Sequence, residues 1–271
     1  MAEFRSDLYQ GTAGHYERFR LPYPEVLLAD LLRRTAPSGR GRLVDLACGT
    51  GQLAFPLRER FAEVWAVDAE AGMTRVVEAK AAAVGAVRVR AVTAAAEEVE
   101  VAAGSVELVV VGNAFHRLRR DVVARRVLEW LEPGGHLALC WSTSPWAGER
   151  EWQRDFWGLL LRWQEELGAV GRVPSGAGKR READPDREVL ARAGFGPVER
   201  YVFAVEHRWT VDELAGHVRS TSFLPPAVLG DRGPAFDAEL RAVLGPHTVG
   251  GRLVETVGFA YDLARRPVAG Y

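Results

Sequence analysis

The sequence predicts an α/β fold built on a doubly wound, mostly parallel sheet. Three observations predict it. Short apolar strands alternate with helical segments between Arg42 and Trp141. These strands are apolar on both faces, as in a sheet covered on both sides. The first of them runs into a glycine-containing turn, Cys48-Gly49-Thr50-Gly51, that opens a helix.

The elements follow in order. Residues 1–20 are polar and aromatic with Gly11 and Gly14 interleaved, and read as a loop or short helix. Tyr23–Thr35 has apolar residues at helical spacing, with Pro24 suited to a first turn. The segment Ala36–Gly41 breaks it. Arg42–Ala47 is the first strand, Gln52–Arg60 a helix, Glu63–Asp68 the second strand and Ala71–Ala83 a helix. Val87–Val92 and Val106–Val111 are strands three and four, Asp121–Leu131 is a helix, Pro133–Gly135 a turn and His136–Trp141 the fifth strand.

Residues 142–185 show no strand pattern. They hold a helix, Glu149–Leu167, whose stripe of Trp152, Phe156, Leu159, Leu160, Trp163 and Leu167 reads as core. A Gly/Pro/charged segment, 173–186, follows; its basic run Lys179-Arg180-Arg181 reads as a mobile, solvated loop. Beyond it come a helix at Pro185–Ala193, a strand at Val198–Val205 and a helix at Val211–Arg219 opened by Thr210, with Asp212 and Glu213 in its first turn. A helix at Pro234–Leu244 and an alternating strand at Leu253–Leu263 complete the chain. The two late strands can extend the same sheet.

Composition bounds the function. The 271 residues are 48% hydrophobic and 26% charged, enough to bury a core without disulfides. Lys+Arg total 35 against 36 Asp+Glu, a net charge of −1 that argues against nucleic acid or an anionic membrane as partner. Cys48 and Cys140 are the only cysteines, and no His/Asp/Glu spacing suggests a metal site. The N-terminal MAEFRSDLYQ has no apolar run, and no stretch reaches the ~18 apolar residues that span a membrane. The expectation is one cytoplasmic domain over 1–271. Lysine occurs only at Lys80 and Lys179; the scattered arginines read as GC-rich coding bias.

The motif with chemical content is the glycine turn. Gly49 and Gly51 permit tight turning and close ligand approach, and helix-start N–H groups can face a polar group. Asp68 lies 19 residues beyond Gly49, at the end of the second strand, placed to accept both hydroxyls of a ribose. Its charge disfavours the 2′-phosphate of NADP. Two ligand classes fit, NAD(H)/FAD and S-adenosylmethionine, and Ala54 at the third-glycine position is neutral between them. Asp45, inside the first strand, is foreign to the dinucleotide fingerprint. A buried carboxylate there needs a reason, and organising the glycine loop and an ammonium group would supply one.

At these residues the chain resembles the class I S-adenosylmethionine-dependent methyltransferases of the small-molecule type. The matching segments are DLACGTG (45–51), VWAVDAEAGM (64–73), Ala96-Glu97, VELVVVGNAFHRL (106–118), LEPGGHLAL (131–139), the N-terminal 9–24 and the ending 255–267. The resemblance implies a Rossmann-like seven-stranded, mostly parallel sheet with an antiparallel last strand. It also implies an N-terminal lid over 1–24 and a substrate-lid insertion over 142–185. Ala47, Cys48, Gly49, Thr50 and Gly51 would line the methionine moiety, Asp68 would hold the ribose, and Ala69 and Met73 would flank the adenine. Ala96 and Glu97 would meet the adenine edge, Asn113 and Ala114 would lie under the sulfonium, Arg20 would partner the cofactor carboxylate, and Tyr16 would close over the site. The family more usually has Gly where this chain has Ala47, a departure that costs little if φ there is negative.

Methyl transfer is an in-line displacement in which the protein supplies position and environment. An amine acceptor needs only alignment in its neutral form; a hydroxyl benefits from a general base. His116, after the fourth strand, is the first candidate base. His15 and Tyr9 are secondary candidates, and the remaining histidines read as structural or exposed. Phe115 would shape the pocket wall, and Trp141 and Trp146, following the fifth strand, would stack on a small-molecule acceptor. The resemblance implies a place in bacterial natural-product pathways, where that family is frequent, and the GC-rich coding bias agrees with such a host. The alternatives are an NAD-dependent oxidoreductase, which lacks a Tyr-x-x-x-Lys or similar constellation, and a non-catalytic S-adenosylmethionine-binding scaffold or regulator. The acceptor atom (N, O or C) and the oligomeric state stay open at this level.

Overall fold

The structure, a computed structural model, describes residues 8–172 and 182–268. Its strands are β1 (Arg42–Leu46), β2 (Glu63–Asp68), β3 (Val89–Thr93), β4 (Val106–Gly112), β5 (Leu131–Ser142), β6 (Glu199–Trp209) and β7 (Leu253–Arg265). Its helices are α1 (Ala13–Phe19), α2 (Glu25–Thr35), α3 (Ala54–Leu57), α4 (Ala71–Ala83), α5 (Arg120–Trp130), α6 (Glu151–Glu166), α7 (Asp186–Ala193), α8 (Val211–Arg219), α9 (Pro226–Leu229) and α10 (Gly233–Leu244).

The strands form one seven-stranded sheet of order β3-β2-β1-β4-β5-β7-β6. The first five are parallel, and β7 runs antiparallel to both β5 and β6. The winding direction reverses between β1 and β4, where Leu46 pairs with Val67 on one side and Val111 on the other. Ligands of open α/β sheets bind at the carboxyl ends of the strands at such a reversal. Alternation along β1 sends Val44 and Leu46 into a cluster with Val123, Ala124 and Val127 of α5 and Val189 and Leu190 of α7. Leu43 and Asp45 point to the opposite face, also buried, so both faces of the strand are covered.

Two sequence expectations change. The helix expected over 52–60 is α3 followed by a 3-10 turn at Arg58–Arg60, because only two residues separate that turn from β2. The expected turn at Pro133–Gly135 lies inside β5: Val106 pairs with Leu131 and Leu108 with His136, so the intervening residues loop out, with Gly134 at φ 86. The described residues fall into two compact units, 8–21 with 142–172 and 204–258, and 22–141 with 182–203 and 259–268. Residues 204–258 share the core of the first unit. Trp152, Phe156 and Trp163 of α6 cluster there with Trp209 at the end of β6, Leu214 and Val218 of α8, and Phe236 and Leu240 of α10. The basic run Lys179-Arg180-Arg181 lies outside the described residues.

Candidate functional site

The site is built at the carboxyl ends of β1, β2 and β4, within the unit that holds the parallel strands. After β1 the backbone turns left-handed at Ala47 (φ 51), Gly49 (φ 55) and Gly51 (φ 82). For Gly49 and Gly51 this costs little. For Ala47 the condition for a low cost, a negative φ, is not met: an L residue with a Cβ is held there at about 1 kcal/mol or more. A Cβ on Gly51 would lie 2.8 Å from Phe55 Cδ2, so that glycine is required twice over. Asn113, directly after β4, is also left-handed at φ 51. Two non-glycine residues in this region, one on each side of the winding reversal, mark it as a place where backbone strain is held for use.

The loop is pinned from several directions. Cys48 N donates to Val67 O at 3.0 Å, tying it to β2, and Gly51 N donates to Cys48 O at 2.9 Å, closing the turn. Gly49 N donates to Asp68 Oδ2 at 2.8 Å, and Glu70 N donates to Asp68 Oδ1 at 2.9 Å. Burial raises the Asp68 carboxyl above the ordinary range, against the pull of those two donors. Each of its oxygens keeps a lone pair free of these two bonds. Asp45 is fully buried and accepts from Ala54 N at 2.9 Å, at the start of α3. Burial pushes its carboxyl up to about 8, with Asp68's charge acting in the same direction. Its partner is thus the helix that leaves the loop.

The other sequence candidates in this unit are placed as follows. Ala69 is exposed beside Asp68, and Met73 is buried on α4. Ala96 is buried, while the Glu97 carboxylate accepts from Arg119 N at 2.8 Å ahead of α5, leaving its backbone for any adenine contact. Asn113 N donates to Cys140 O at 2.8 Å and its Nδ2 donates to Tyr23 Oη at 3.4 Å. Ala114 and His116 are half-buried, His116 in a 3-10 turn at Phe115–Arg117. Phe115 is 3% exposed and packs in the core with α5, a packing position more than a pocket wall. Trp141 is half-buried, with the Arg200 guanidinium 5.1 Å from its ring centroid.

Tyr9, His15, Tyr16, Arg20 and Trp146 belong to the other unit. There Tyr9 and Tyr16 meet edge to face, and the Arg20 guanidinium lies 4.9 Å from the Tyr16 centroid and donates to Ser220 O at 3.2 Å. His15 stacks on Phe19, and burial, then Arg219 and Arg18, lower its pKa. Trp146 sits in an aromatic cluster with Phe156, Phe223 and His217, whose own pKa burial lowers to about 3. That unit also holds a cavity of about 450 Å³ bordered by Thr143, Ser144, Arg150, Gln153, Glu255 and Thr256.

Two contributors escaped the sequence reading. Tyr23 braces the β4 end: its Oη donates to Cys140 O at 3.5 Å and lies 2.9 Å from where a Gly112 Cβ would be. Lys80, on α4, donates to Thr50 O at 2.9 Å. Its only sequence signal is its rarity.

Sheet order, antiparallel final strand and a glycine loop fastened to the β2 acid together define a class I methyltransferase-like protein. Residues 43–135 match the family described as methyltransferase domain. The chain is 30% identical over 240 residues to the uncharacterized methyltransferase Rv3342 of Mycobacterium tuberculosis, covering 88% of this chain and 86% of that one. A structure from Anaeromyxobacter dehalogenans superposes with TM-score 0.63 at 20% identity, covering 93% of this chain and 100% of the other. The Haemonchus contortus phosphoethanolamine N-methyltransferase 2, in complex with S-adenosyl-L-methionine, has TM-score 0.56 at 16% identity over 98% of this chain and 60% of its own. The chain belongs to the class I S-adenosylmethionine-dependent methyltransferases.

The residues present fit that cofactor. Asp68 offers lone pairs at the β2 end, where ribose hydroxyls would supply donors. Thr50 Oγ1, in the glycine loop, is buried with no hydrogen-bond partner among the described residues. Such an orphan is costly unless something else satisfies it.

Proposed function

We propose that the protein transfers a methyl group from S-adenosylmethionine to a nitrogen, oxygen or carbon atom of a small-molecule acceptor, in the cytoplasm and in bacterial natural-product biosynthesis. One observation carries the reading. Asp68 ends β2 with both oxygens oriented by backbone N–H groups, one of them from the glycine loop itself. A carboxylate held this way is a preorganised acceptor for a vicinal diol, and it couples ribose binding to the shape of the loop. The net charge of −1 suits a small acceptor better than a nucleic acid. Among the described residues, no helix is long and apolar enough to cross a membrane.

When bound, the cofactor supplies an electrophilic methyl group on a sulfonium. The chain does the rest. Asp68 orients the ribose; Ala69, Met73, Ala96 and the Glu97 backbone flank the adenine. The turn from Ala47 to Gly51 fixes the methionine end, and Asn113 and Ala114 define the mouth beside it. His116 accepts the proton released by a hydroxyl acceptor. Trp141 gives an aromatic acceptor a stacking face.

Calorimetric titration with S-adenosylhomocysteine, run beside NADH, tests the cofactor. Micromolar binding of the first and none of the second is expected; the reverse would replace the reading with a redox enzyme. Label transfer from methyl-labelled S-adenosylmethionine across amine, hydroxyl and carbon acceptors then assigns the acceptor. A protein that binds the cofactor and labels none of them would be a scaffold or regulator.

A further inference from the structure

We infer that Lys80 is a positioning residue for the cofactor loop: from α4 it fixes the orientation of the Thr50–Gly51 peptide, and with it the turn that receives S-adenosylmethionine. The inference rests on the methyl-donor reading and adds a residue to it.

The geometry is local and specific. Lys80 Nζ donates to Thr50 O at 2.9 Å while lying 4.5 Å from the Phe55 ring centroid. The opposite edge of the same peptide is also held, since Gly51 N donates to Cys48 O at 2.9 Å. One residue earlier, Gly49 N is fastened to Asp68 Oδ2 at 2.8 Å. Two side chains from outside the turn therefore hold it, Asp68 on an N–H and Lys80 on a carbonyl. It needs both because it is intrinsically loose. The Thr50–Gly51 peptide hinges on a glycine, left-handed at φ 82, and such a peptide reorients at little steric cost. A flip of the Thr50–Gly51 peptide would break the bond to Cys48 O and reverse the polarity the loop presents. The charge-assisted bond from Lys80 opposes that flip.

The residue type fits the task. Thirty-five positions are Lys or Arg, yet lysine stands only at Lys80 and Lys179. A compact ammonium can sit over a ring face and aim a donor at one carbonyl; a guanidinium spreads its donors along a planar fork. The Lys80 charge is felt within the loop, where it opposes the burial that raises the Cys48 thiol. Phe55, which also holds the space a Gly51 Cβ would need, ties ammonium and loop into one packed unit.

The test is calorimetric titration of S-adenosylhomocysteine into the full-length wild type, Lys80→Met and Lys80→Arg, with thermal melts of each. Ala82→Gly, an exposed position on the same helix, serves as a control that weakens α4 without touching the loop. Lys80→Met is expected to weaken binding about tenfold at a temperature where it remains fully folded, Lys80→Arg to recover part of that loss, and Ala82→Gly to lower the melting temperature with no change in affinity. Wild-type affinity in folded Lys80→Met overturns the inference. So does an affinity loss that Ala82→Gly reproduces, since that would make Lys80 a helix-stability residue only. If Lys80→Met does not fold, Lys80→Arg decides alone: affinity equal to wild type overturns, and a partial loss supports. No binding by the wild type would instead defeat the methyl-donor reading, a separate result.

Discussion

Each of the two compact units buries a carboxylate, and they are satisfied in different ways. Asp45, at the end of β1, accepts from a backbone N–H at the start of α3. Glu255, on β7, accepts from two side chains, Trp209 Nε1 at 2.6 Å and Gln153 Nε2 at 2.9 Å. Burial raises both acids. The difference separates two uses of one costly group. A carboxylate bonded to main chain shapes the path of the backbone, here the exit from a ligand loop. A carboxylate bonded to an indole and an amide locks distant side chains into a core and only borders a cavity. Asp68 belongs with the first kind, since both of its partners are backbone N–H groups.

The sharpest way to break this contrast is to remove the acid that shapes the loop. Asp68→Ala should weaken S-adenosylhomocysteine binding about 100-fold, because it loses both the ribose acceptor and the anchor of Gly49. Calorimetry that returns the wild-type constant would leave the loop without its assigned ligand. Glu255→Leu should do the opposite, costing about 2 kcal/mol of folding stability by leaving the buried Trp209 Nε1 unpaired and Gln153 Nε2 with Pro145 O alone, with cofactor affinity unchanged. Urea melts alongside the same titration check both halves.

A subtler effect concerns pH. The Asp45 carboxyl sits at about 8 in the folded protein against an ordinary 3.8. Between those values the unfolded chain gives up a proton that the folded one keeps, so stability contributed at low pH is lost as pH rises toward 8. Asp45→Asn retains an oxygen for Ala54 N and should flatten that slope in melting temperatures taken from pH 5 to 8. The opposing contribution of His217, lowered to about 3, is common to both proteins and cancels in their difference. A slope identical to wild type would assign the titration elsewhere. The smallest expected change is Ala47→Gly, which relieves a left-handed alanine and should stabilise by about 1 kcal/mol or less in thermal melts. A loss of stability there would mean that chain entropy outweighs the strain.

Much of the sheet half was legible because its signals are local. β2 and α4 fall on the expected residues, and Asp68 was identified from its spacing to Gly49. The box formed by Thr210 and Glu213 at the start of α8 was visible as a cap followed by acids. What escaped depends on facts a sequence does not carry. An alanine does not announce a positive φ, so Ala47 read as harmless. Lys80 reaches its carbonyl across 30 residues, and Tyr23 its strand end across 117. The apolar stripes of α6 and α10 indicate burial without naming the partner each one packs against.

The two cysteines lend the site a use beyond catalysis. Cys48 lies in the glycine loop and Cys140 at the β4–β5 end of the sheet; both are buried, and burial holds both thiols well above their usual range. In the closed protein they should be inert to alkylating reagents, so each labelling event records a transient opening. Followed residue by residue in a mass spectrometer, the pair becomes a two-channel clock. Cofactor that tightens the loop should slow the Cys48 channel more than the Cys140 channel.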